Sequence, residues 1–268
     1  MSIPFTAARA RNAGFARLME IAAPDYVQFI DGDCELATGW LEKAAGWLDQ
    51  NPEFAVACGR RREKRPEASI FNRQCDREWA TPVGEAEACG GDALMRSSAF
   101  ESVSGFDEAL IAGEEPELCL RLREKGWRVM RLDQEMTRHD ANIERLSQWW
   151  KRALRAGHAY AEVSYKHRTS PNRIWAGETR RALIWAALAP AAFAGAFIIH
   201  PALLLLLLIY PMQVARLALR RGGAPFEWAD ASLLTLGKFA EALGVLKFHI
   251  NRMTGAQARL IEYKSTPS

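Results

Sequence analysis

YVQFIDGD, running from Tyr26 to Asp33, decides the fold class of this chain. Its first five residues are a short apolar and aromatic run of strand type, and they break into two carboxylates around a glycine. Helical spacing flanks the run on both sides. Upstream, Phe15, Leu18 and Met19 recur at helical intervals within residues 7–21, and Pro24 closes that segment. Downstream, Trp40, Leu41, Ala44, Trp47 and Leu48 share one helical face, Asn51-Pro52 stops it, and residues 54–58 (FAVAC) return as a strand. Strand, turn, helix and strand in that order belong to an α/β sheet, whose ligands gather at the carboxyl ends of strands. The Asp31-Gly32-Asp33 turn occupies such an end.

Residues 60–80 are polar and rich in charge, including the run Arg60-Arg61-Arg62-Glu63-Lys64-Arg65, and read as an excursion from the core. Ser97 or Ser98 caps a short helix through Val103, and Gly105-Phe106-Asp107 turns out of it. Pro116 stands at the first position of a helix through Lys125, which Gly126 terminates. A strand is predicted over residues 127–132 and a long helix over 143–163. Five cysteines, Cys34, Cys58, Cys75, Cys89 and Cys119, show no paired or metal-finger spacing and read as buried thiols of a reducing compartment.

The composition changes after Arg181. Residues 182–215 carry no Asp, Glu, Lys or Arg, and two segments, 182–199 and 202–219, are divided by His200-Pro201. Each is about 18 residues, near the lower limit for crossing a hydrocarbon core. Arg180 and Arg181 lie on one flank, and Arg216, Arg220 and Arg221 on the other. Cations at both outer ends predict a hairpin whose ends face the cytoplasm, in a cytoplasmic (inner) membrane. Residues 233–252 are amphipathic and are predicted to lie along the membrane or under the preceding domain. The net charge of +3 is too small to argue for nucleic acid, and no helix presents a sustained basic stripe, so no nucleic-acid partner is expected.

Two stretches carry chemistry. Asp31 and Asp33 flank Gly32 where a hard divalent cation and a diphosphate can approach the backbone, although Asp and Gly also build ordinary turns. Residues 113–123 (GEEPELCLRLR) crowd Glu114, Glu115 and Glu117 at a helix start, where the dipole favours acids and where mutual repulsion raises proton affinity, as a general base requires. Upstream, Gly90-Gly91 allows close approach of a ligand to the backbone.

The ordered set ARNAG (10–14), FIDGD (29–33), GGDALMR (90–96), GFDE (105–108), GEEPELCLRLR and RHD (138–140) resembles the family 2 glycosyltransferases of GT-A type. The resemblance covers about residues 7–145. It implies a partial GT-A domain, Rossmann-like with a mixed sheet, followed by a helical membrane-associated tail. It further implies inverting transfer of a sugar from a nucleotide-sugar donor to a lipid-linked or saccharide acceptor, with Mn2+ or Mg2+ as cofactor, in envelope or exopolysaccharide synthesis. Carried over residue by residue, Asp33 binds the metal, Asp31 meets metal or donor, and His139 completes the metal site. Arg11 and Asn12 fall in the donor-binding segment. Gly90, Gly91, Asp92 and Glu114 fall among acceptor-binding positions. Glu115 matches the catalytic base, with glutamate where the family usually has aspartate, and Glu114 competes with it.

Two departures follow from the same resemblance. Gln148-Trp149-Trp150-Lys151-Arg152 reverses the order of the QxxRW motif of processive synthases, so transfer of single sugars is expected. The family opens with a strand, a nucleotide-binding loop and an aspartate-rich strand before the ARNxG helix, whereas this sequence starts almost at that helix. The expectation is an N-terminally truncated domain over 1–145, a connecting amphipathic helix over 146–180, an apolar hairpin over 181–221 and a helical tail over 222–268. The alternative is a non-catalytic pseudo-glycosyltransferase serving as a membrane-bound binding or scaffold protein.

Overall fold

The computed structural model describes residues 6–256, which fall in two compact units, Met1–Glu144 and Arg145–Ser268. In the first unit, the Thr6 hydroxyl accepts the backbone N–H of Arg9 at 3.2 Å and starts helix α1 (Ala7–Ile21). Strand β1 (Tyr26–Phe29), β2 (Cys34–Leu36), helix α2 (Trp40–Gln50) and β3 (Phe54–Glu63) follow. Then come α3 (Ile70–Trp79), β4 (Gly84–Glu85), β5 (Ala93–Arg96), α4 (Ser97–Ser102), α5 (Glu114–Glu124) and β6 (Arg128–His139).

The strands make one mixed sheet in the order β1-β5-β3-β6-β2, with β4 also on β6. β3 and β6 run parallel; the other pairs are antiparallel. Trp40 and Leu48 of α2, Val56 of β3, Met95 of β5, Leu118 and Leu122 of α5 and Val129 of β6 are all buried in one cluster. Most of the apolar residues that carried the helical and strand periodicity therefore form or border the core, whereas Leu18 and Leu41 are exposed. The α/β fold with a mixed sheet is present.

Residues 60–80 are not an excursion. β3 continues to Glu63, and α3 packs on it with Phe71, Asn72, Gln74 and Cys75 buried. Polarity hid both elements because several of their buried positions, Glu63, Asn72 and Gln74, are polar. Glu63 accepts the backbone N–H groups of Arg65 and Ala141, and Asn72 accepts that of Ile143 at 3.0 Å. α5 begins at Glu114, so Pro116 is its third residue, behind Gly113 in the left-handed region (φ 82). Gly126 (φ 88) ends it as expected. β6 extends beyond Leu132 to His139, because the polar residues 133–135 keep the strand's backbone ladder with β3 at Arg60↔Glu135 and Arg61↔Thr137. Ser97 starts α4 instead of capping it; its hydroxyl donates to the Pro24 carbonyl at 2.5 Å.

In the second unit, α6 (Leu146–Lys166) begins after Ile143, and α7 (Ala176–Ile198) holds Pro190 inside it. A 3-10 helix (Pro201–Leu208) takes up the leucine run and continues into α8 (Ile209–Arg220); α9 (Pro225–Thr254) is longer than the predicted 233–252. Two stretches, Ala176–Ile198 and Pro201–Arg220, are long and apolar enough to cross a membrane, and only 11% and 6% of their apolar windows are buried. A soluble core helix of that composition would be mostly covered.

Glycines let α6 and α9 touch backbone to backbone. A Cβ on Gly157 would stand 1.9 Å from the Glu241 carbonyl oxygen, and one on Gly244 2.1 Å from that of Leu154. Neither obstacle is a flexible side chain. Gly157→Ala is therefore expected to destabilise the unit by about 1–3 kcal/mol or more, the range of core overpacking. Thermal unfolding of the purified chain checks this, with Gly177→Ala, whose Cβ meets only the Arg181 side chain at 3.4 Å, as the control.

Candidate active site

β1 ends at Phe29, and the turn that follows is held by Asp92. The Asp92 carboxylate accepts the backbone N–H of Asp31 at 2.9 Å and the Thr137 hydroxyl at 2.8 Å. Asp92 is wholly buried with both oxygens engaged, and it positions the Asp31 turn against β6. Beyond the turn, the Nε2 of His139, the last residue of β6, lies 3.2 Å from the Asp33 carboxylate. The ligating atoms of Asp31, Asp33, Cys34 and His139 all fall within 4.8 Å of one another. His139 Nδ1 is buried with no hydrogen-bond partner. Burial, followed by the neighbouring Asp92, pushes the Cys34 thiol well up, which keeps it protonated. The donors on offer are thus two carboxylates and an imidazole, a set that suits a hard or borderline divalent cation.

Arg11 of α1 reaches across to this turn. Its guanidinium pairs with Asp31 and with Glu114, the latter at 2.9 Å. Burial alone would lower its pKa, but the two carboxylates outweigh that and hold it raised. Asn12 engages the turn at residues 106–108. Its amide nitrogen donates to the Phe106 carbonyl at 2.8 Å and to Glu108 at 3.1 Å, while its oxygen accepts the Phe106 N–H at 2.9 Å. Gly105 (φ 68) completes this clamp, since a Cβ there would lie 2.7 Å from the Asn12 oxygen.

The three glutamates of α5 have separate surroundings. Glu114 is held by Arg11. Glu117 is fully buried and pairs with Arg121 at 2.7 Å, a structural contact. Glu115 is buried, and its Oε1 accepts the backbone N–H of Cys89 at 2.6 Å, the Cys89 thiol at 2.8 Å and the Cys119 thiol at 3.1 Å. Its Oε2 has no hydrogen-bond partner among the described residues.

Gly90 (φ 94) and Gly91 (φ 110) form the floor between these groups. A Cβ on Gly91 would stand 3.3 Å from Arg61 Nη1 and 3.6 Å from Asp31 Oδ2. Arg61 was legible only as part of a charge run. Its neighbours Arg60, Arg62, Lys64 and Arg65 pair with Asp133, Asp76, Glu35 and Asp140, whereas Arg61 has no carboxylate partner among the described residues. Instead its guanidinium lies 4.5 Å over the Trp79 ring, and Trp79 meets the His139 ring edge-on at 4.5 Å. Sequence reasoning missed Trp79, since α3 itself was unrecognised.

Residues 4–103 match the family described as Glycosyl transferase family 2. This stretch belongs to the family 2 glycosyltransferases. Among curated relatives, the glycosyltransferase domain resembles the pre-mycofactocin glycosyltransferase of Mycobacterium tuberculosis, 29% identical over 177 residues, which are 61% of this chain and 36% of that protein. The succinoglycan biosynthesis protein ExoA of Rhizobium meliloti is 31% identical over 111 residues, 41% of this chain and 31% of the relative. The chain therefore spans about a third of the length of these curated relatives. A mannosyltransferase of Pyrobaculum calidifontis, PcManGT, solved in complex with GDP-Man and Mn2+, superposes with a TM-score of 0.56 at 20% identity, over 91% of this chain and 67% of that one. That likeness shows the GT-A fold.

Proposed function

We propose that this chain transfers a sugar, with inversion, from a nucleoside diphosphate donor to an acceptor hydroxyl at a membrane surface. The observation that carries the reading is the convergence of Asp31, Asp33 and His139 next to the Gly90-Gly91 turn. Those three residues would hold Mn2+ or Mg2+, which when bound neutralises charge on the departing diphosphate. Glu115 takes the proton of the acceptor hydroxyl on Oε2, its unpartnered oxygen, as the hydroxyl oxygen attacks the anomeric carbon from the face opposite the leaving group. Arg11 keeps Asp31 and Glu114 in register across the site. Arg61 offers its guanidinium fork to the diphosphate, with Trp79 holding the fork flat.

The relatives support a saccharide acceptor, since one acts in succinoglycan biosynthesis, and a structural neighbour binds GDP-Man with Mn2+. A lipid-linked or growing polysaccharide acceptor accords with the two exposed apolar helices. Arginines at both outer ends of that hairpin support a cytoplasmic (inner) membrane with the transferase domain on the cytoplasmic side. Donor binding by the purified full-length chain, screened across nucleotide sugars with and without Mn2+, tests the reading. Binding of one nucleotide sugar, strengthened by the metal, is expected; binding of none would end it. Arg61→Ala is expected to weaken Mn2+-dependent binding of that donor by about tenfold, the loss of one charge-assisted contact. Calorimetry checks this, with Arg60→Ala, whose exposed pair with Asp133 lies elsewhere, as the control.

A further inference from the structure

Cys89 and Cys119 are 30 residues apart in sequence, yet their sulfurs lie 3.9 Å from each other and both are buried. Each also points at the same carboxylate oxygen, Oε1 of Glu115, at 2.8 and 3.1 Å. The Cys89 backbone N–H reaches that oxygen too, at 2.6 Å. One oxygen thus takes three donors while the other takes none among the described residues.

We propose that Cys89 and Cys119 are positioning residues whose protonated thiols hold Glu115 so that Oε2 alone receives the acceptor's proton. The inference rests on the reading of Glu115 as the base. A glutamate carries one more rotatable bond than aspartate, so its head group needs fixing that a shorter acid does not. Cys119 supplies it from the next turn of α5, four residues on, and Cys89 from the loop that leads to the Gly90-Gly91 floor.

The surroundings keep these thiols as donors and not as thiolates. Burial pushes the Cys89 thiol up, and the adjacent Cys89 sulfur, followed by burial, pushes the Cys119 thiol well up. The charged and titratable neighbours are few. From β3, Cys58 lies close enough to feel both Cys89 and Glu115, and its own thiol is raised by burial first. From β6, Arg131 donates to the Ala88 and Cys89 carbonyls at 3.0 and 3.4 Å, bracing the loop that carries Cys89. Reduced thiols with raised proton affinity are poor nucleophiles, so the pair serves as a bracket and not as a reactive dithiol.

Two measurements on the full chain test this. The first is the infrared S–H stretch of the wild type, Cys89→Ala, Cys119→Ala and Glu115→Gln. The alanine variants assign the bands. Glu115→Gln is expected to shift those bands toward the free-thiol position, because an amide oxygen is the weaker acceptor. Bands unmoved by Glu115→Gln would overturn the inference, whatever the chain turns over. The second is Mn2+-dependent hydrolysis of GDP-mannose or UDP-glucose, with water as acceptor. Cys119→Ala is expected to lower kcat about tenfold with KM little changed. Cys119→Ser, which restores a donor, should recover most of the loss. An unchanged kcat in Cys119→Ala, beside an inactive Glu115→Gln, would reject the thiols and leave the base reading standing. Full activity of Glu115→Gln would instead remove the base reading itself.

Discussion

Asp33→Ala is expected to abolish Mn2+-dependent binding of a nucleotide sugar while the chain stays folded. The Asp33 carboxylate stands in the turn after β1, its side chain about one-third exposed (36%), and it contacts His139 Nε2 at the end of β6. Loss of an outer-shell partner already costs a metal site about 10–100-fold in affinity, and loss of a direct carboxylate should cost more. Asp31→Ala would be a poorer test. It frees Arg11, and through Arg11 also Glu114, so a loss there would mix metal, helix and base effects. His139→Ala should weaken metal binding less than Asp33→Ala, since two carboxylates remain, although it also unstacks Trp79. Calorimetry with Mn2+ and the best donor, beside a thermal melt, reads all three. Unchanged donor affinity in a well-folded Asp33→Ala protein would remove the metal assignment.

What could be read from the sequence was what periodicity and turn chemistry mark. YVQF is β1, and Trp40, Ala44 and Leu48 are the buried stripe of α2, because apolar residues recur there at the spacing each element imposes. α3 was not legible, since two of its four buried residues are Asn72 and Gln74, and the burial of Asn72 depends on a partner as far away as Ile143. The same applies to roles. The segment around Asn12 was recognisable as a motif, yet its amide serves the Phe106 turn, 94 residues on, which no local pattern reveals. The cysteines were correctly taken as thiols without a disulfide, and four of the five are buried. That two of them converge on one carboxylate oxygen is a tertiary fact. It depends on α5 packing beside the 88–91 loop, and sequence spacing carries no trace of that.

The leucine run shows the converse, a strong pattern with an unexpected geometry. Residues 201–208 are uniformly apolar and form a 3-10 helix of eight residues, longer than such helices usually run. The His200 side chain caps its start by accepting the Ala202 backbone N–H at 3.1 Å.

Glu115→Gln is the change expected to cost most in transfer. The amide keeps the size of the side chain and can still accept from Cys89 and Cys119 on its oxygen, so the loop and α5 should remain as they are. What it cannot do is take a proton. Donor binding, which depends on Asp31, Asp33 and His139 in the proposed site, should stay within about twofold, while turnover falls by about 10²–10⁴, the usual contribution of a positioned general base. The comparison that gives the result meaning is Glu114→Gln. Glu114 adjoins Glu115 on α5, but its Oε1 is occupied by Arg11, and neutralising it loosens the bridge to Asp31. Glu114→Gln should therefore weaken donor binding with a modest effect on turnover, the reverse of the Glu115 pattern. Measuring Kd and kcat for both variants separates them. A large kcat loss with intact donor binding in Glu114→Gln would exchange the two roles, and would leave the buried Glu115, with its two thiols, a structural acid.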